Sequence, residues 1–163
     1  MYALTPPLHL RHVSDSDQAF LDALYRSTRA DLTHIEAEPG FVAGLIDMQQ
    51  TMQAHGFRQQ FPAADYLLLE CGGERIGRLV LAPSPLRIVD LALLPSAQGK
   101  GIATAVLKAL QCHAAANRST IELSVSKNNP GARRLYLTLG FHISSVDDLQ
   151  EHMRWSAAQE QDA

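Results

Sequence analysis

A glycine-rich segment, residues 98–103 (Gln-Gly-Lys-Gly-Ile-Ala), carries the most informative chemistry of the sequence. It follows an apolar run and opens a segment in which Ile102, Val106 and Leu110 recur at helical spacing. Glycines at the entrance to a helix let backbone N–H groups approach an anion without an intervening side chain. These N–H groups have no partner within the helix and lie at the positive end of its dipole. The segment therefore predicts a binding site for a phosphate-bearing ligand.

A second segment, residues 129–141, combines polar and aromatic side chains with strong helix signals. It reads Asn-Pro-Gly-Ala-Arg-Arg-Leu-Tyr at 129–136 and ends in Gly140-Phe141. Proline suits the first turn of a helix, and glycine suits the position after its last turn. We therefore predict a short helix from Pro130 to Leu139, with Tyr136 near its C-terminal end.

The surrounding elements predict a mixed sheet that positions both segments. The strand at 87–94, the helix at 99–116 and the strand at 120–126 form a strand–helix–strand unit, which requires a parallel pair with a right-handed crossover. Tight turns at 72–73 and 83–85 instead join antiparallel neighbours. In total we expect six or seven strands with helices on both faces. The other predicted strands cover 8–13, 66–71, 76–82, 141–146 and 152–155, and the other helices are one after Ser14–Asp17, one at 41–54 capped by Gly56, and one at 130–139.

Composition limits the classes of protein to which the chain can belong. With 163 residues, 46 % apolar and 19 % charged, it is typical of a single soluble globular domain. A net charge of −3 gives no electrostatic case for nucleic acid, and no apolar run approaches the ~20 residues of a membrane span. Two cysteines make no disulfide framework, the histidines show no metal-ligand spacing, and no secretory signal is visible. We expect a cytoplasmic protein without a metal.

Residues 15–56 carry an excess of acidic side chains that permits two interpretations. The excess can be the solvated face of the N-terminal helices, or an acidic rim that attracts a cationic substrate. The segment contains two arginines, Arg26 and Arg29, and seven acidic residues: Asp15, Asp17, Asp22, Asp31, Glu36, Glu38 and Asp47.

Both motifs together resemble the GNAT superfamily of acyl-CoA-dependent N-acyltransferases. Residues 98–103 fit the family pattern Q/R-x-x-G-x-G/A, and residues 129–141 resemble its N-x-x-A-x-x-L-Y-x-x-x-G-F block. The order and spacing of the elements also fit. The resemblance covers residues 8–156 as one acetyltransferase domain and leaves 157–163 as a polar C-terminal tail.

The resemblance implies a mostly antiparallel, mixed α/β sheet whose central parallel strands splay apart. It implies that the pantetheine arm of acetyl-CoA lies between these strands and that its pyrophosphate binds the glycine-rich segment. By position, the residues implied in cofactor binding are Leu91, Leu93, Leu94, Gln98, Gly99, Lys100, Gly101, Ile102, Ala103, Asn129, Ala132 and Tyr136.

The resemblance also implies that Tyr136 donates a proton to the departing thiolate, while the general base stays open. Many relatives have a glutamate five residues before the asparagine, where this chain has Ser124. Asp90 and Glu122 are the candidate carboxylates, and a base acting through ordered water or an amine that enters neutral are equal alternatives.

The predicted function is transfer of an acetyl group from acetyl-CoA to a primary amine of a small molecule or peptide. The alternatives are an acyl-CoA-binding regulatory module without strong catalysis and a transferase for longer acyl chains. The terminal hairpin could also pair across a homodimer.

Overall fold

The computed structural model describes residues 2–33, 37–83 and 85–157, which form one seven-stranded sheet with helices on both faces. The strands are β1 (Leu8–His12), β2 (Asp65–Cys71), β3 (Glu74–Ala82), β4 (Leu86–Leu93), β5 (Thr120–Ser126), β6 (His142–Val146) and β7 (Gln150–Ser156). The helices are α1 (Gln18–Thr28), α2 (Ala30–Thr33), α3 (Pro39–Gln60), α4 (Ile102–Ala116) and α5 (Pro130–Thr138). The order of strands across the sheet is β1-β2-β3-β4-β5-β7-β6. The predicted fold class is confirmed.

Strands β2 to β4 form the antiparallel meander that the turn signals predict, and β1 pairs antiparallel with β2 at its edge. Gly72 and Gly73, both at positive φ, make the turn between β2 and β3. The turn between β3 and β4 contains Pro83 and Pro85, while Ser84 lies outside the described residues.

Helix α3 is longer than its sequence signals predict. The prediction ended the helix at Ala54 and used Gly56 as its cap, but the helix continues to Gln60. Pro39 stands in its first turn, where the missing N–H costs nothing. The extra turns place Phe57 and Phe61 over two arginines of the sheet, and this packing outweighs the weak helix propensity of Gly56.

Strands β4 and β5 are the only parallel pair among the described strands, and they pair over a short stretch. The register runs from Leu86 opposite Ile121 to Ile88 opposite Leu123 and then ends. Beyond Ile88 the two strands diverge, which confirms the predicted splay.

The C-terminal hairpin completes the sheet. Strand β7 pairs antiparallel with both β5 and β6, so the last strand of the chain lies between them. The predicted hairpin is correct, although β7 begins at Gln150, two residues earlier than predicted.

The main core lies on the face of the sheet covered by α4 and α5, which we call the α4 face. It is built from leucines and other apolar residues of six strands, packed on Val106, Leu107 and Leu110 of α4. On the opposite, α3 face, alternating strand residues such as Leu68 and Val80 are fully buried under α1 and α3.

Within the described ranges, no helix is long and apolar enough to cross a membrane. The same part of the chain contains no group of three or more histidine, cysteine or acidic side chains placed to hold a metal ion. Cys71 and Cys112 are free thiols. Of the predicted polar tail, residues 158–163 lie outside the described residues.

Candidate functional site

The edge of β4 that faces the splay presents unpaired backbone groups. In an antiparallel strand, the backbone N–H and C=O groups of successive residues point alternately to the strand on one side and to the strand on the other. The Leu94 N–H donates to Ile76 O of β3 at 2.8 Å, so it is not free for the cofactor contact that the resemblance implies for Leu94. Leu91 and Leu93 have the opposite parity and point their backbone toward the gap between β4 and β5. Gln98 Nε2 donates to Leu93 O at 3.1 Å, at the end of that edge.

The glycine-rich segment forms an open cradle at the start of α4. Gly99 and Gly101 have φ values of 72° and 78°, a region that side chains disfavour. A Cβ atom added at either position meets no atom within 4 Å. Gly101 is the N-cap, so Ile102 and Ala103 contribute the first-turn N–H groups that a helix cannot pair internally. Lys100 is exposed beside them.

Helix α5 approaches the cradle from the β5 side. Asn129 Oδ1 accepts a hydrogen bond from the Ala132 N–H at 3.1 Å, so this asparagine caps the helix. Arg133 forms a 2.6 Å ion pair with the buried Glu151 of β7, which fastens the helix to the sheet. The anchored helix holds Tyr136 edge-on against Phe141, with ring centroids 5.8 Å apart.

Two cavities meet at the splay. The first, about 560 Å³, lies between the cradle and α5. The second, about 460 Å³, lies under α1 and α3. Their shared walls are Leu91, Leu93, Gln98 and Asn129. The first cavity also contacts Gly99, Gly101, Ile102, Ala103, Ala132 and Tyr136, and the second contacts Tyr25, Gln50, Gln53, Arg78 and Asp90.

The structure brings Tyr136 and Asp90 into electrostatic contact from opposite sides of this junction. Burial and, to a smaller extent, the charge of Asp90 raise the pKa of the Tyr136 phenol to about 12. The phenol is therefore protonated at neutral pH. Asp90 accepts hydrogen bonds from Arg78 at 2.7 and 3.2 Å, both on Oδ2. The same arginine donates to Gln53 of α3.

Glu122 lies apart from this junction. It stands opposite Arg87 at the closed end of the β4–β5 pair, and its carboxylate is 3.8 Å from Arg154. It lines neither of the two cavities that meet at the splay.

Ser124, the first β5 residue beyond the last β4–β5 pair, belongs to a hydrogen-bonded chain that sequence reasoning missed. Its Oγ accepts from Arg87 Nη2 at 2.6 Å and lies 2.7 Å from His152 Nδ1. His152 Nε2 is 2.9 Å from Asp147 Oδ2. Ser124 and His152 are 28 residues apart in the chain, and only the β5–β7 register brings them together.

The described carboxylates of segment 15–56 do not line the second cavity. Asp17 is fully buried between Arg11 and Arg75, and Asp22 accepts hydrogen bonds from two glutamines. Asp47 lies 3.8 Å from Arg26. Glu36 lies outside the described residues. The solvated and structural interpretation fits these contacts, whereas none of these described carboxylates lines the cavity.

Comparisons with known proteins agree with this geometry. The model of the acetyltransferase (GNAT) family matches residues 21–141, which span both motifs. No curated protein matches the chain.

Solved structures similar in fold include the PaiA N-acetyltransferase of Thermoplasma acidophilum in complex with coenzyme A. It is 17 % identical, with 91 % of this chain and 98 % of that chain covered and a TM-score of 0.66. RimL, a ribosomal L7/L12 alpha-N-protein acetyltransferase in complex with coenzyme A, is 20 % identical over 95 % and 97 %, with a TM-score of 0.66. The spermidine N-acetyltransferase of Vibrio cholerae, in complex with coenzyme A and spermine, is 18 % identical over 96 % and 99 %, with a TM-score of 0.64. With its family model, splayed strands and glycine cradle in agreement, the chain belongs to the acetyltransferase (GNAT) family.

Proposed function

We propose that this protein transfers the acetyl group of acetyl-CoA to a primary amine of a small molecule. The observation that carries the proposal is the meeting of two cavities at the splayed strands, with Tyr136 on one side and Asp90 on the other. The second cavity, at about 460 Å³, has the size typical of small-molecule sites.

The first cavity fits acetyl-CoA in shape and in hydrogen-bonding capacity. The open space at Gly99 and Gly101 admits a diphosphate, and the first-turn N–H groups of α4 supply donors with a favourable dipole. The backbone of Leu91 and the N–H of Leu93 can pair with the amides of a pantetheine arm, while the Leu93 carbonyl already accepts from Gln98. The coenzyme A complexes of similar fold support this assignment.

The proposed reaction needs one net proton transfer. The amine nitrogen forms a bond to the acyl carbon, the carbon–sulfur bond breaks, and one proton passes from the amine to the sulfur. Tyr136 is the proposed donor to sulfur. The pKa of Tyr136, about 12, exceeds the ~8.5 of a typical thiol, so proton transfer from the phenol to the thiolate is unfavourable by itself. The proposed step therefore requires the phenolate to be reprotonated with the proton that the amine loses.

Asp90 is the better supported of the two carboxylates proposed to accept the amine proton. It lines the second cavity and acts on Tyr136, whereas Glu122 faces Arg154. Arg78 holds Asp90 through Oδ2, so Oδ1 has no hydrogen bond from any described residue.

Coenzyme A binding tests the cradle. We expect Gly101→Glu to abolish saturable binding of acetyl-CoA in calorimetry, because its side chain brings bulk and negative charge to the diphosphate position. Gly72→Glu is the matched control, since Gly72 also has a positive φ and open surroundings but lies in the β2–β3 turn. Wild-type affinity in Gly101→Glu would remove the cradle from the proposal.

Thiol release separates the transferase from an acyl-CoA-binding module. We expect free coenzyme A to appear with acetyl-CoA and a panel of primary amines, and not without an amine. Binding of acetyl-CoA without amine-dependent thiol release would favour the module, and faster release with longer acyl-CoA substrates would favour the longer-chain transferase.

A further inference from the structure

Two arginines of the sheet are held by the same helix in the same manner. The guanidinium of Arg78 lies over the ring of Phe57 at 5.9 Å, and that of Arg87 lies over the ring of Phe61 at 5.6 Å. Phe57 lies in the last turn of α3, and Phe61 is its C-cap, whose N–H donates to Phe57 O at 2.8 Å. Both arginines therefore lie on the α3 face of the sheet. Arg78 lines the second cavity, whereas Arg87 lies on the same face outside its lining, three residues along β4 from Asp90.

A β-bulge puts Arg87 and Asp90 on this face together. The β3–β4 register places Val80 opposite Asp90 and Leu81 opposite Ile88, so one β4 residue, Val89, is extra. Without the bulge, two residues three apart on a strand would point to opposite faces.

Among the described residues of strands β3, β4, β5 and β7 on this face, two arginines pair with carboxylates. Arg78 pairs with Asp90 at 2.7 Å, and Arg154 pairs with Glu122 at 3.8 Å. Across the described ranges of the chain, Arg87 has no carboxylate within 4.0 Å; its polar contact is the Ser124 hydroxyl.

The half-buried guanidinium of Arg87 stacks on the Phe61 ring and donates to one hydroxyl, so it has further N–H donors without an acceptor among the described residues. Guanidinium carries five N–H donors and no acceptor. Ser124 receives one of them, and its own proton is available to His152 Nδ1, which lets the serine oxygen stay an acceptor toward Arg87. A planar carboxylate or phosphate is the group that best satisfies the remaining donors.

We propose that Arg87 binds an anionic group, carboxylate or phosphate, on the acceptor whose amine is acetylated. This inference rests on the proposed function and adds the acceptor's chemical class. Arg87 and Asp90 lie opposite Ala82 and Val80, so the bulged stretch between them spans about two regular strand steps, roughly 7 Å. The acceptor therefore carries its amine and its anionic group several bonds apart, as an ω-amino acid does and an α-amino acid does not.

Matched acceptors test the subsite. The pairs are 6-aminohexanoate against hexylamine for carboxylate, and 3-aminopropyl phosphate against propylamine for phosphate. The measured quantity is the ratio of kcat/KM values within each pair. We expect a ratio of roughly ten or more in at least one pair, because a charge-assisted hydrogen bond contributes about that factor or more. The pair that shows it identifies the anion.

Variants assign the preference to one side chain. Arg87→Gln should lower the ratio by about tenfold or more through KM, and Arg87→Lys, which keeps the charge but loses the planar fork, should lower it less. Arg154→Gln removes the same charge from the same face and should leave the ratio unchanged. Retained melting temperatures show that the variants are folded.

The outcomes separate this inference from the proposed function. If the plain amines are acetylated and both ratios are near one, or if Arg87→Gln keeps the wild-type ratio, the subsite is overturned and the transferase stands. If no amine is acetylated, calorimetry with 6-acetamidohexanoate and 3-acetamidopropyl phosphate decides. Equal affinity in wild type and Arg87→Gln overturns the subsite, and tenfold weaker binding in the variant supports it.

Discussion

At the scale of single residues, Tyr136 offers the sharpest test of the chemistry. We expect Tyr136→Phe to lower kcat by about 10²–10⁴-fold, because the buried hydroxyl is the proposed source of the proton for sulfur. The ring remains and keeps its contact with Phe141, so affinity for acetyl-CoA should change little. Steady-state rates and calorimetry measure the two effects separately.

Tyr2→Phe provides the matched control for that substitution. Tyr2 packs on His113 and lines neither of the two cavities at the splay, so its hydroxyl should be dispensable. Full turnover in Tyr136→Phe would take the proton-donor role away from this tyrosine.

Individual residues also show what the sequence could and could not predict about the site. The glycine-rich segment and Asn129 signal themselves locally, because a helix entrance has a compositional signature that extends over a few positions. The Ser124–His152 and Arg78–Asp90 contacts depend on strand register and on a bulge, and neither has a signature in the chain. The resemblance implies a cofactor contact for Leu94, but its N–H pairs with β3, because the sequence alone does not fix which strand residues direct their backbone to which neighbour.

At the scale of elements, α3 shows how packing extends a helix past a weak residue. We expect Gly56→Ala to stabilise the protein by about 0.5–1 kcal/mol, because alanine loses less backbone entropy in a helix. Gly56 is exposed, and a Cβ there meets no atom within 4 Å. Denaturant unfolding should show a higher midpoint, and the melting temperature should rise by up to about 4 °C.

Gly140→Ala should destabilise the protein, and it serves as the control for Gly56→Ala. Gly140 has a φ of 93°, and its added Cβ would lie 3.5 Å from the Trp155 ring. If Gly56→Ala destabilised the protein as Gly140→Ala does, α3 would not run through residue 56.

At the scale of the whole molecule, the sequence predicted the topology better than the ends of its elements. The strand–helix–strand pattern at 87–126 admits one handed crossover, so the parallel pair and its place in the sheet follow from few assumptions. The insertion of β7 between β5 and β6 did not follow, because a terminal hairpin can add to a sheet by either strand. Its placement brings His152 and Glu151 toward the site.

The response of the whole fold to acid depends on two carboxylates held in their charged form. Hydrogen bonds from Arg11 and from the Ser14 backbone hold the pKa of the buried Asp17 well below its usual range. Backbone N–H groups of Leu149 and Gln150, together with His152, lower the pKa of Asp147 to about 2. Each group has a lower pKa folded than unfolded, so its contribution to stability is complete above about pH 5 and is lost as the pH falls toward its folded value.

We therefore expect the free energy of unfolding to fall steeply between pH 5 and about pH 2, and Asp17→Asn to flatten part of that fall. The substitution imitates the protonated carboxyl, so the variant should be less stable than wild type at pH 7 and approach it at low pH. Asp15→Asn is the control, because Asp15 is exposed on the same turn. Urea unfolding at a series of pH values measures all three proteins. If Asp17→Asn loses stability with acid as steeply as wild type does, the ion pairs of Asp17 with Arg11 of β1 and Arg75 of β3 do not control the acid response.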